Sequence, residues 1–367
     1  MKIQRKRVAI YVPNLTGGSG GAEVYGLLLA EVLSEKNIVT IFTFKQPNKL
    51  IDINDIYDKY SVKHFRTRYV KKYQNEQLRS FMAGIQLNRY SNKYDVFINC
   101  TIGRMCGMKG VYSIHIVHFP KKKYQGIIGR YFNARYLCSY NQFICNSEFT
   151  KRYLKEYWGV GGKVVYPPIA MKAVGEDVIE KKENVILAVD RIVKEKRIIE
   201  MIRAYKVLYD KMKEKYCFVI IGNKDDSEEK YYREIVAERK GYPIRILNDL
   251  TKDELIEWYK KAKFFWHAKG YNEGDDPIKA EHFGMTTVEA MANGCAPIVI
   301  NKGGQREIVQ HNVNGCLWDK IEQLEQYTLE LVNYPERLHF IQFNATQSSI
   351  KFLMDGFRKQ VHRNIII

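Results

Sequence analysis

The stretch Glu281-His-Phe-Gly-Met-Thr-Thr-Val-Glu289, continuing as Ala290-Met-Ala-Asn-Gly294-Cys-Ala-Pro-Ile-Val-Ile300, decides how this chain is read. Thr286 and Glu289 have the Thr-x-x-Glu spacing of a capping box, which predicts a helix starting near Thr286. Gly294 suits its end, because glycine adopts the left-handed conformation that commonly closes a helix. Ala296 to Ile300 is a short apolar run before Gly303-Gly304, which reads as a buried strand and the turn leaving it. The order is acidic loop, helix start, short helix, buried strand, glycine turn. A helix start presents free backbone N–H groups and a partial positive charge, and both suit a phosphate. Spread along one helix, Glu281 and Glu289 would stand about 12 Å apart, too far for a touching carboxylate pair. The expected arrangement has Glu281 on the loop and Glu289 in the first helical turn, with a ligand lying along that edge.

Outside this stretch the chain alternates strand and helix signals twice. In the first half, Arg7–Val12, Val39–Phe44, Asp95–Asn99, Val111–His118 and Gln142–Cys145 read as buried strands. Pro13 to Ala22 contains Gly17-Gly18-Ser-Gly-Gly21 and then turns helical from Glu23 to Leu33. Such a loop suits approach to a phosphate or sugar. It lacks the spacing of a dinucleotide fingerprint or a P-loop, and a plain turn is the alternative. His118 closes a strand just before Phe119-Pro120, where ligands bind in doubly wound sheets. His115, inside that strand, reads as a hydrogen-bonded core residue. Asn146-Ser-Glu148 caps a helix running to Trp158. Lys163 to Pro168 leaves the first domain, and the charged, proline-flanked stretch Ile169 to Glu183 looks like a linker.

The second series begins at Asn184. Val185–Val189 is a strand followed by Asp190-Arg191-Ile-Val-Lys194-Glu-Lys196-Arg197. Arg191 and Lys196 sit on the loop and helix start after that strand, well placed for a diphosphate; a solvated basic loop is the alternative. Cys217–Gly222 is a strand, and the turn after Gly222 is placed to border a nucleotide base. Ile244–Leu247 and Lys263–His267 are strands, with a Thr251-x-x-Glu254 capping box between them. Tyr271 to Lys279 reads as a mobile polar loop. Its acids Glu273, Asp275 and Asp276 read as solvated, since no EF-hand spacing accompanies them. Helical segments follow Trp318, and Ala345 to Arg363 is partly amphipathic.

With 367 residues and 46% hydrophobic content, the chain predicts two folded domains. Lys and Arg outnumber Asp and Glu by 59 to 41, which favours an anionic partner. From Lys59 to Lys93 basic residues interleave with tyrosines and a single Glu, which suits a membrane headgroup layer as well as a solvated helix face. Lys121-Lys-Lys123 reads equally as a solvated loop or as part of a phosphate and membrane patch. No nucleic-acid motif is present, so no nucleic-acid partner is expected. No apolar run is long enough to span a bilayer, and the N-terminal apolar segment is too short for a signal peptide. The seven Cys contain no Cys-x-x-Cys pair, so reduced cytoplasmic thiols are expected and no metal site.

Several pieces carry a family resemblance when taken in order. These are Glu281-x7-Glu289 with Phe283-Gly284, Glu289-Ala-Met-Ala-x-Gly294, Gly303-Gly304-Gln-Arg-Glu307, Tyr166-Pro-Pro168 and Trp266-His-Ala-Lys-Gly270. Together they resemble the retaining glycosyltransferases of family 4, most of all the branch of dolichol-linked-oligosaccharide mannosyltransferases and their prokaryotic relatives. The resemblance implies a GT-B fold: two Rossmann-like doubly wound α/β domains facing a central cleft. On it, residues 1–168 form the acceptor-side domain and 169–345 the nucleotide-sugar donor domain. Residues 346–367 supply a last helix returning to the first domain. It implies that the Gly17-Gly18 loop closes over the cleft, that His118 faces the donor sugar, and that Arg191 and Lys196 hold the donor phosphates.

The chemistry fits those residues. Departure of a nucleoside diphosphate builds negative charge on phosphate, so fixed positive groups there matter most in the transition state. Arg191, Lys196 and the helix start at Thr286 can supply them without a metal. Glu281 is expected to orient the sugar hydroxyls and Glu289 the ribose hydroxyls. Backbone amides of Phe283, Gly284 and Met285 would complete the cradle. For Glu289 the capping box alone is a competing explanation, and for Glu281 a surface loop acid. No nucleophile stands out, which favours same-face attack over a covalent intermediate.

The expected activity is transfer of a hexose, mannose first, from a nucleotide-sugar to a glycan or lipid-linked glycan. GDP-mannose is expected ahead of a UDP-sugar. The expected place is the cytoplasm, peripheral on an anionic membrane face. A nucleotide-sugar epimerase of the same fold and a non-catalytic glycan-binding protein are the alternatives.

Overall fold

Thirteen short strands, most of them rich in Val, Ile and Phe, make two fully parallel sheets in a computed structural model that describes residues 5–13, 21–43, 61–64, 76–224 and 226–365. The first sheet holds β1 (Arg7–Tyr11), β2 (Ile38–Thr43), β3 (Ser61–His64), β4 (Val96–Asn99), β5 (Tyr112–Val117), β6 (Gln142–Cys145) and β7 (Lys163–Val164), in the order β3-β2-β1-β4-β5-β6-β7. The second holds β8 (Glu183–Val189), β9 (Cys217–Ile221), β10 (Ile244–Leu247), β11 (Ala262–His267), β12 (Ala296–Ile300) and β13 (Cys316–Trp318), in the order β10-β9-β8-β11-β12-β13. Each order runs outward one way from its first strand and then reverses, which is the doubly wound α/β pattern. The reversal lies between β1 and β4 in one sheet and between β8 and β11 in the other.

The chain forms two compact units: Met1–Pro168 with Phe357–Ile367, and Ile169–Gly356. In the first, Ala9, Tyr11, Phe42 and Phe97 share one side of the core, while Tyr136, Phe143, Leu154 and Trp158 share another. In the second, Phe218, Phe264, Trp266 and Trp318 are almost fully buried. Such parallel strands read as continuous apolar runs because both faces are covered.

The local signals were mostly sound. Ser147 caps Glu148–Trp158 by accepting from the Thr150 N–H, and Thr251 with Glu254 forms a complete capping box on Lys252–Lys261. Three readings need correction. Ile169 to Glu183 is not a bare linker. Ile169 donates to the Phe352 carbonyl and Val174 to that of Ala292, a short helix spans Glu176–Glu180, and Lys182 is buried. Tyr271 to Lys279 is not a loose loop either. Lys302 Nζ donates to the carbonyls of Gly270 at 3.0 Å and Gly274 at 2.9 Å, and Glu273 pairs with both Arg197 and Lys279. The boundary expected at residue 345 falls inside the helix Pro335–Ser349, and the last helix begins at Met354.

That last helix, Met354–Asn364, buries Phe357 and Val361. It accepts the Tyr166 N–H on Gln360, donates from Asn364 to the Val164 carbonyl, and pairs Arg358 with Glu35. No helix among the described residues is long and apolar enough to cross a membrane.

Candidate active site

The topology of the second sheet places the site. In doubly wound sheets ligands bind beyond the carboxyl ends of the strands, where the order reverses. Asp190 directly follows β8, and His267 is the last residue of β11, the strand beside it. Lys196 arrives from a turn of 3-10 helix at Lys194–Lys196, and Glu281 from the loop ahead of the helix Met285–Ala292.

These four side chains meet. Lys196 Nζ lies 2.7 Å from Asp190 Oδ1 and 3.0 Å from Glu281 Oε2. His267 Nε2 stands 3.7 Å from Asp190 Oδ2 and 3.5 Å from Glu281 Oε2, while Lys269 Nζ is 3.9 Å from Glu281. A small cavity is lined by Val189, Asp190, Lys196, Trp266 and His267. A much larger hollow, lined by Lys109, Tyr112, Arg135 and Asn141, sits beside the first residue of β5, at the end of the first sheet that doubly wound folds do not use for ligands.

Burial opposes ionisation of both Glu281 and Lys196, yet each holds the other charged. Lys196, the hydrogen bond from His267 and Lys269 together keep the Glu281 carboxyl well below the usual carboxylate range. Glu281 and Asp190 raise Lys196 above its ordinary value in the same way. Asp190, His267 and Glu281 offer ligand atoms within 4.8 Å of one another, close enough to share one cation. The ammonium of Lys196 already brings a positive charge to two of those three groups.

The helix start differs from the expected one. Met285 begins the helix, and its N-cap is Gly284 at φ 122°, with no side-chain cap. A Cβ there would be strained by that φ and would sit 2.9 Å from the Gln305 amide. The first backbone bond of the helix runs from Val288 to Gly284, so the amides of Met285, Thr286 and Thr287 precede it. The Thr286–Glu289 capping box does not form, because the chain turns into the helix before Thr286. Glu289 lies in the second turn instead, where its carboxylate accepts from Tyr259 Oη at 2.9 Å. Burial pushes its pKa up to about 7, against the lowering effects of the Tyr259 hydrogen bond and Lys252.

Gly303 and Gly304 explain their own sequence. Gly304 N–H donates to the Glu281 carbonyl at 2.8 Å, and a Cβ on either glycine would collide with the backbone of Glu281, His282 or Phe283. The glycine turn therefore clamps the acidic loop. Gln305, fully buried, and the Thr287 hydroxyl have no hydrogen-bond partner on their side-chain polar atoms. Buried polar atoms without a protein partner are rare.

The remaining expected residues are dispersed. Arg191 is 68% exposed and faces Glu195 at 3.6 Å, so its guanidinium can turn toward a ligand. Phe283 is buried against Phe352, and Gly222 follows β9 with its backbone pressed on Asp190. His118 belongs to the first unit. It directly follows β5, its ring meets Tyr25 edge-on at 5.8 Å, and its carbonyl accepts from Thr150. His115 is a core residue: Nδ1 meets Tyr136 Oη at 2.5 Å, Nε2 meets the Thr101 carbonyl at 3.2 Å, and burial lowers its pKa to about 3. Gly17 and Gly18 lie outside the described residues.

Asp190, His267 and Lys269 were given no role by sequence reasoning. Asp190 and His267 each end an apolar run, and that was the available signal. What it lacked was the adjacency of β8 and β11, which are separated by two strands in the chain.

Residues 19–172 match the family described as Glycosyltransferase Family 4, and residues 173–347 match Glycosyl transferases group 1. The chain belongs to glycosyltransferase family 4. This family 4 chain is 25% identical, over 59% of its length and 45% of the relative's, to a GDP-Man:Man(3)GlcNAc(2)-PP-Dol alpha-1,2-mannosyltransferase of Dictyostelium discoideum. It is 28% identical, over 62% of its length and 59% of the relative's, to an uncharacterized glycosyltransferase of Methanocaldococcus jannaschii. The matches thus span about half the length of these curated relatives. Among solved structures, Anabaena Alr3699/HepE in complex with UDP and glucose superposes with a TM-score of 0.72 at 15% identity, covering 98% of this chain and 99% of that one. A glycosyltransferase from Rickettsia africae superposes at 0.73 and 16% identity, covering 98% and 97%. The fold is GT-B.

Proposed function

We propose that this protein is a retaining hexosyltransferase that takes its sugar from a nucleoside-diphosphate sugar bound at the carboxyl ends of β8 and β11. The observation that carries the reading is the largely buried cluster of Glu281, Lys196, Asp190 and His267 ahead of the Met285–Ala292 helix. A diphosphate bound there meets the helix amides, the exposed Arg191 and the charge of Lys196. Glu281, held ionised, accepts hydrogen bonds from sugar hydroxyls. Glu289 lies further along that helix for the ribose hydroxyls, its carboxyl held by Tyr259 of the Lys252–Lys261 helix.

The reaction breaks the bond from the anomeric carbon to the phosphate oxygen and forms one from that carbon to an acceptor hydroxyl oxygen. The acceptor proton passes to the departing phosphate oxygen on the same face. Glu281 is a poor nucleophile because Lys196, His267 and Lys269 all engage its charge, which favours this path over a covalent intermediate. The positive charge opposite the leaving group comes from Lys196 and Arg191 with no metal ion.

The mannosyltransferase name of the Dictyostelium relative favours GDP-mannose and a lipid-linked glycan acceptor. The test offers GDP-mannose, UDP-glucose and UDP-N-acetylglucosamine to the full chain with an oligosaccharide acceptor. Transfer with retained anomeric configuration is expected from one of them, GDP-mannose first. Glu281→Ala is expected to lose about 10²-fold or more in transfer rate. Isomerised donor without transfer would show an epimerase, and near-normal transfer by Glu281→Ala would overturn the site.

A further inference from the structure

The helix Gly126–Cys138 presents apolar side chains to the outside. Asn133 and Tyr136 face inward and are buried, but Ile127 is 82% exposed, Ile128 73%, Tyr131 62% and Phe132 51%. Helical spacing puts Ile127, Tyr131 and their neighbours on the half of the helix away from the core. Scattered exposed apolar residues are ordinary, but four on one helix face mark an interaction surface.

The charge along the chain on either side of that helix is one-sided. Between Asp95 and Glu148 the chain contains no Asp or Glu, yet it carries Arg104, Lys109, Lys121, Lys122, Lys123, Arg130 and Arg135. The three lysines immediately precede the helix and are exposed, as are Arg130 and Arg135 upon it.

The surface is also built, with polar groups fixing its approach. Arg104 donates to Asn133 Oδ1 at 2.8 Å, to the Lys121 carbonyl at 3.0 Å and to the Lys122 carbonyl, and its guanidinium lies 4.1 Å from the Tyr124 ring centroid. Asn133 returns a hydrogen bond to the Tyr124 carbonyl at 3.0 Å, and Trp158 Nε1 donates to that of Lys121 at 2.8 Å. The backbone of the lysine run is thereby held inward, and its side chains point out.

We propose that Gly126–Cys138 with Lys121–Lys123 is a docking face for an anionic lipid bilayer. Ile127, Ile128, Tyr131 and Phe132 enter the boundary between headgroups and acyl chains, while the flanking lysines and arginines meet lipid phosphates. A second copy of this chain is a poor occupant, because the same cationic rim would face itself. The surface lies within the first unit and does not rest on the donor assignment, so it can fail or stand independently of it. It also differs from the Lys59–Lys93 stretch, much of which lies outside the described residues.

The test is cosedimentation of the full chain with phosphatidylcholine vesicles, with and without about a third phosphatidylglycerol, at moderate salt. Partitioning onto the anionic vesicles is expected to exceed that onto neutral ones by at least about tenfold, given the usual gain per basic residue. Ile127→Asp with Tyr131→Asp is expected to lose about tenfold or more, and so is Lys121→Glu with Lys122→Glu and Lys123→Glu. Both variants should melt with the wild type, since these side chains are exposed. The proposal is overturned if the wild type ignores anionic vesicles, or if both variants bind like it. A wild-type dimer dispersed by Ile127→Asp, with no vesicle binding, would overturn it too.

Discussion

At the scale of single residues, Lys196 and Glu289 show opposite uses of burial. Lys196 is buried because two carboxylates hold it, so removing its charge leaves Asp190 and Glu281 facing each other with their main cation gone. Lys196→Met is expected to cost roughly 3 kcal/mol in urea unfolding, as broken buried pairs do, and adding Glu281→Gln should restore part of it. Failure of the second change to restore any stability would show that the cluster is not electrostatically coupled. Glu289 is largely withdrawn from water, with the Tyr259 hydroxyl on its carboxylate and Lys252 a weaker influence, and its pKa rises from 4.5 to about 7. The unfolded carboxyl ionises first, so the stability of the protonated form is complete below about pH 4.5 and is lost as pH rises to about 7. Glu289→Gln should therefore gain on the wild type between pH 5 and 8, by at most roughly 3 kcal/mol, in paired denaturation curves. A gap that does not widen with pH would contradict this placement.

At the scale of elements, two devices hold the site in shape. Lys182 reaches the end of the Lys252–Lys261 helix, where its Nζ donates to the carbonyls of Tyr259 and Lys260 at 3.0 Å and Ala262 at 2.8 Å. That helix carries Tyr259, the partner of Glu289. Lys182→Met strands three carbonyls and is expected to destabilise the second unit by about 2–3 kcal/mol. A melting temperature unchanged from wild type would refute the cap. The other device is the clamp of Gly284, Gly303 and Gly304. Gly284→Ala must hold φ near 122° with its Cβ against Gln305, so it should cost about 1–3 kcal/mol and weaken nucleotide binding with it.

Much of this level was legible. The capping boxes and buried strands follow from local side-chain chemistry, which is why Thr251 and Ser147 do what their spacing implies. Thr286 misled for the same reason. Its spacing to Glu289 satisfies the capping pattern, but Gly284 offers the chain an earlier turn, and that preference depends on packing against Gln305. The strands β3 and β13 span only four and three residues, too short for an apolar run to mark them. Asp190 and His267 could not be paired without the strand order.

At the scale of the whole molecule, the last helix ties the C-terminus to the first unit. Phe357, Val361 and Ile365 are buried, and Gln360 and Asn364 satisfy backbone groups of Tyr166 and Val164. Truncation after Gly356 exposes the groups they cover. Calorimetry should show the transition of the first unit falling while that of the second stays nearly in place. A uniform fall of a single transition would mean that the units unfold as one. Two α/β series were readable from the alternation of apolar runs and helix signals, whereas the return of the chain to its first unit was implied only by family resemblance.

The proposed grip on a nucleoside diphosphate lies beyond β8 and β11 in the second unit. The most direct measurement is a calorimetric titration of the full chain with GDP, UDP and ADP, repeated on Arg191→Ala and on Gly284→Ala. One nucleotide is expected to bind well ahead of the others, with affinity falling about tenfold or more in each variant. No binding of any nucleotide, or equal binding by wild type and both variants, would rule out a donor site at Arg191 and Gly284.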